Sequence, residues 1–152
     1  MIKLLWATLG TLGFGMLFKA NKNKLIYILI GGFLNYLGYM VSYSLNKNIF
    51  ISSAVCAVVT TIYSNVMAII LKCPSTIFIF TGLISNIPGA SLFYAMQNIE
   101  GGNVKEALNQ SIITIEVILG IVSGILFVST LKVIYNQIKI KIRKYKKERK
   151  II

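Results

Sequence analysis

Five long apolar stretches, joined by loops of a few residues, take up nearly all of this 152-residue chain. They run over about 2–18, 25–45, 49–71, 76–99 and 110–134. A helix needs roughly 20 mainly apolar residues to cross ~30 Å of hydrocarbon. Four stretches reach that length, and the first is short. Continuous apolar runs leave no polar face for water, so the sequence predicts an all-α, polytopic membrane protein of about five transmembrane helices. The bundle is expected over 1–138 and a basic tail over 139–152.

Composition narrows the chemistry. Hydrophobic residues make up 56% of the chain, and there is no histidine. Aspartate is also missing, and the acids are Glu100, Glu106, Glu116 and Glu148. That inventory offers no metal-ligand cluster and no histidine-based acid–base pair, so neither a metal, a cofactor nor an enzyme activity is expected. Only scattered Ser, Thr and Tyr remain as nucleophiles. Cys56 and Cys73 have no paired spacing and are read as packing residues.

Charge sets the orientation. With five spans, thirteen Lys or Arg fall on one side: Lys19, Lys22, Lys24, Lys72, Lys132 and the eight between Lys139 and Lys150. Lys3, Lys47 and Lys105 fall on the other. Basic residues collect on the cytoplasmic side, so the N-terminus is expected outside and the C-terminus in the cytoplasm. The tail directly follows a span. Cytoplasmic retention beside anionic lipid accounts for it, and no nucleic-acid partner is expected. A signal peptide is the alternative for the first stretch, but no small-residue cleavage site follows it.

Small and polar residues form stripes along the spans. Gly31, Asn35, Gly38 and Ser42 share one helix face, and so do Ser53, Ala57, Thr60, Ser64 and Ala68, with Asn65 alongside. Glu116, Gly120 and Ser123 align in the last span, where Gly120 and Gly124 have GxxxG spacing. Such stripes pack helices or line a shared polar cavity. In the loop after the fourth span, Gly101-Gly102-Asn103 ends one helix and starts another at Val104.

The fourth span carries Pro88-Gly89 at its middle. Proline removes an N–H and clashes with the carbonyl one turn back, so the helix is expected to break there. Lipid cannot satisfy the freed backbone groups, but Ser85, Asn86 and Ser91 can. Broken helices near the midplane build substrate sites in many transporters. The N–H groups of Gly89, Ala90 and Ser91 would form the positive end of a half-helix, suited to a carboxylate. Ser85, Asn86, Pro88, Gly89 and Ser91 are therefore candidate substrate-binding residues, joined from the stripes by Asn35 and Asn65. Glu116 is the one acid within a span. A buried carboxylate is costly in lipid, so it should face the bundle interior or water, where it could carry a coupling proton.

The segment Gly13-Phe14-Gly15-Met16-Leu17-Phe18 with Asn21, followed by the Gly31-Gly32 span, resembles the start of the short membrane subunit of the split threonine/serine exporter family. Ile87-Pro88-Gly89, Tyr94, Ala107 and the Gly120/Gly124 helix resemble that subunit's second half, and Pro74 lies fourteen residues before Pro88. The likeness covers most of residues 10–130. It adds Tyr94 to the candidate substrate-binding set. The family often has a proline three residues before the Pro-Gly pair, where this chain has Ser85, which implies a milder bend. The resemblance implies an inner-membrane exporter of small amino acids or related carboxylates that works with a larger membrane subunit. A membrane scaffold that stabilises a partner without transporting is the competing function.

Overall fold

The computed structural model describes residues 2–18 and 20–148; Lys19 and residues 149–152, part of the charge pattern above, lie outside it. The described residues form helices and no strand. Helix α1 spans Ile2–Leu17, α2 Lys22–Asn46, α3 Ile49–Ile70 and α4 Ser75–Leu83. A 3₁₀ turn over Ile84–Asn86 leads into α5, Gly89–Glu100, and then α6, Val104–Glu148.

Local chemistry explains the boundaries. The Asn48 side chain accepts a hydrogen bond from Ile51 N at 3.1 Å and caps α3. Gly102 takes φ +72°, a left-handed conformation that glycine adopts without penalty, and so ends the turn before α6. Helix α6 continues through the basic segment as far as Glu148. Lysine and arginine are good helix formers, and no Pro or Gly lies between Ile134 and Glu148.

The distribution of side chains is that of a protein in lipid. Fully buried positions hold Thr11, Asn35, Ser52, Ser53, Thr60, Thr61, Ser64 and Thr81, while Leu45, Ile69, Phe80 and Leu126 are exposed. Buried hydroxyls turn back onto their own helices, as Thr60 does to Cys56 O at 2.8 Å and Thr61 to Ala57 O at 2.7 Å. Apolar side chains outward and small polar ones inward suit helices whose solvent is hydrocarbon. Helices α2 and α3 are each long and apolar enough to cross a membrane, as is α6 over Val104–Ile142, and α4 and α5 together make a bent fourth candidate.

Helix α3 sits at the centre, against α2, α4 and α6. The α6 glycines explain the closest of these contacts. A Cβ on Gly120 would lie 2.6 Å from Phe50 O, and one on Gly124 would lie 2.5 Å from Ala54 O. The GxxxG pair therefore serves helix packing. Because Gly120 meets Phe50 while Lys132 meets Asn65, α3 and α6 run parallel. The first sixteen residues of α6 thus extend about 24 Å beyond the start of α3, where they pair with α5. Helix α1 is short, as expected, and seats Thr11 against Gly32 of α2.

Candidate functional site

The fourth span is broken, with its two halves bent by 49°. The α-helix gives way at Leu83, five residues before Pro88. The reason is local: the proline ring clashes with the carbonyl four residues earlier, that of Ile84, so the distortion begins there. Ser85 lies inside the 3₁₀ turn.

This break packs against α1 and α2, and polar side chains tie it down. Ser85 Oγ donates to Asn35 Oδ1 at 3.3 Å, and Asn35 Nδ2 donates to Thr60 Oγ1 at 2.8 Å. Asn86 Nδ2 donates to Cys56 Sγ at 3.0 Å, while the Cys56 thiol donates to Ser53 O at 3.1 Å. Ser91 Oγ donates to Pro88 O at 3.1 Å and lies 3.1 Å from Thr114 Oγ1 of α6. The span is thereby joined to α2, α3 and α6 through side chains.

One expected donor is already used. Gly89 N donates to Ile87 O at 2.8 Å, closing a tight turn. Among the described residues, no backbone bond from Ala90 or Ser91 N leaves the helix, so these two amides form the free first turn of α5.

Beside the break lies an open cavity of about 450 Å³. Ser85, Asn86, Pro88, Ser91 and Tyr94 line it, and Tyr36, Tyr39 and Gln110 close it from α2 and α6. Of the residues singled out from the sequence, five therefore meet at one cavity. Gly89 lies at the break, lining an apolar cleft of about 280 Å³ on the other side. Asn35 is fully buried behind Ser85 and supports the wall without lining it. Asn65 is not brought there. It lies nine residues beyond Cys56 on α3, about 14 Å along the axis, and accepts from Lys132 Nζ at 2.6 Å. Glu116 is half-buried on α6 and does not line the cavity, although its neighbour Val117 does.

The sequence left open whether Tyr36 and Tyr39 line a path or anchor at the membrane interface, and it gave no sign of the part played by Cys56. The tyrosines are three apart and so share a helix face, which was a usable signal. A lone cysteine gave none, because its partner Asn86 comes from a distant segment.

These features define a polytopic α-helical membrane protein with a cavity of mixed polar and apolar lining at a discontinuous span, the architecture of a membrane transporter. The sequence matches the family described as "Threonine/Serine exporter, ThrE" over residues 3–131. The chain belongs to that threonine/serine exporter family. No curated protein and no solved structure matches it.

Proposed function

We propose that this chain is one subunit of an inner-membrane exporter for threonine, serine or related small carboxylates, working with a larger membrane subunit and driven by protons. The observation that carries the reading is the cavity at the break, where the free amides of α5 meet Ser85, Asn86, Ser91 and Tyr94. Two main-chain donors at a helix start suit a carboxylate. Tyr36, Tyr39 and Tyr94 line the same cavity, and aromatic rings suit the ammonium group of an amino acid. The N-terminus faces outward and the basic C-terminal end lies in the cytoplasm, as the charge distribution requires. Glu116, within the span between Thr114 and Val117, carries the coupling proton.

The test is efflux of threonine, serine and dicarboxylates from loaded cells that express both subunits. Pro88→Ala and Asn86→Leu should each cut efflux at least tenfold at normal membrane levels. Unchanged efflux would remove the substrate site from this cavity. If efflux also survived Glu116→Gln combined with Asn86→Leu while the subunits still co-purified, the chain would be a scaffold for its partner.

A further inference from the structure

A second groove, of about 500 Å³, lies between α3 and α6 at the basic end of the bundle. Its floor is apolar: Ile62, Val66 and Ile69 from α3 face Phe127 and Leu131 from α6, and all five are exposed. Its rim is basic and polar, with Lys132, Tyr135 and Lys139 on one face of α6. Lys132 Nζ is held by Asn65 Oδ1 at 2.6 Å, and Lys139 Nζ lies 5.9 Å from the centre of the Tyr135 ring.

Lys132 holds a charge beside an apolar surface, and among the described residues its hydrogen-bond partner is a neutral amide. The nearest acids along α6 are Glu116 and Glu148, each sixteen residues away, or about 24 Å. Helix α3 contains no acid at all. This chain therefore offers Lys132 no counter-ion from either wall of the groove. A ligand that brings an anion and buries hydrocarbon would satisfy both halves.

Dimensions agree. The α3 wall, from Val58 to Ile69, is about 16 Å long. That is half of a ~30 Å hydrocarbon core, the depth of one leaflet. The lysines sit toward one end of it, seven residues apart, so their ammonium groups can straddle one headgroup. We propose that this groove binds an anionic phospholipid, with the phosphate between Lys132 and Lys139 and an acyl chain along the α3–α6 trough. Basic pockets between membrane helices take such headgroups. The proposal needs only that the chain lies in a bilayer, and it stands apart from the export reading.

Native mass spectrometry of the full chain in detergent tests it, with phosphatidylglycerol and phosphatidylcholine as probes. The first phosphatidylglycerol should bind in preference to phosphatidylcholine. Lys132→Gln with Lys139→Gln should weaken that first binding roughly 30-fold. Lys146→Gln with Lys147→Gln removes the same charge from the tail beyond the groove and should change it less than threefold. Val66→Trp, which fills the trough and leaves the charges in place, should also weaken it, and millimolar glycerol phosphate should not compete. Equal losses in the two lysine pairs would overturn the proposal in favour of diffuse attraction to the tail. Competition by glycerol phosphate would overturn it in favour of a free-phosphate site. Disulfide-linked dimers from Ile62→Cys in a chain lacking Cys56 and Cys73 would overturn it too, by giving the groove to a second copy.

Discussion

One methyl group at Gly120 and another at Gly124 should push α3 and α6 apart. The added Cβ atoms would lie 2.6 Å from Phe50 O and 2.5 Å from Ala54 O, where ordinary contact begins at 3.4 Å. The helices must therefore separate by about 0.9 Å, because the obstructing atoms are backbone and cannot swing away. Overpacking of this kind costs about 1–3 kcal/mol at each site, and each alanine returns about 1 kcal/mol in helix propensity. One movement relieves both clashes, so the two costs do not add in full. A net loss of about 1–2 kcal/mol corresponds to a drop in Tm of roughly 2–8 °C for a chain of this size. The same chemical change at Gly10 and Gly13 is the control, because a Cβ there meets nothing within 4 Å. Gly10→Ala with Gly13→Ala should raise Tm or leave it unchanged. Thermal unfolding of purified variants in one detergent, followed by circular dichroism, measures both. A Gly120→Ala, Gly124→Ala chain that melts at or above the parent temperature would refute the close α3–α6 contact.

Three further outcomes follow from burial and bonding. Ser64 Oγ is buried with no hydrogen-bond partner, so Ser64→Ala should leave stability unchanged or raise it by about 1 kcal/mol, read from the same melts. A small maleimide should label Cys73, which is partly exposed, and spare the buried Cys56 until the chain is unfolded, as peptide mass spectrometry would record. Asn35→Leu removes the bonds to both Ser85 and Thr60 and should lower Tm by about 4–10 °C, given roughly 0.6–1.7 kcal/mol for each hydrogen bond between membrane helices. A chain with Asn35→Leu and Ser85→Ala should recover part of that loss.

Much of the fold could be read from the sequence because its causes are local. Apolar length marked the spans, Gly101-Gly102 marked the turn, and the ring of Pro88 marked the break. Even the start of the break at Ile84 follows from the four-residue reach of the proline clash. The site was legible to the extent that its residues are neighbours in sequence: Ser85, Asn86, Pro88, Ser91 and Tyr94 lie within ten positions. What joins them from elsewhere was not. Asn65 shares a polar stripe with Ser64, but which helix meets that end of α3 depends on the register of α6, and α6 brings Lys132 there. Tyr36 and Tyr39 become a cavity wall only because α5 and α6 close opposite them. Cys56 has no motif, and its tie to Asn86 exists only in the folded chain.

Helix α6 has 45 residues and no proline, and at 1.5 Å per residue it is an arm of about 67 Å. One end is bound to α5 beside the cavity, and the other carries the lysines and arginines. The nearest joint is the Gly101–Asn103 turn, with the interrupted stretch around Ile84–Pro88 beyond α5, and neither lies within α6. A rotation of only 5° about one end of such a lever would swing its far tip by about 6 Å. Rearrangement around a small cargo would thus be felt across the whole thickness of the bilayer, delivered mechanically by a single piece of backbone.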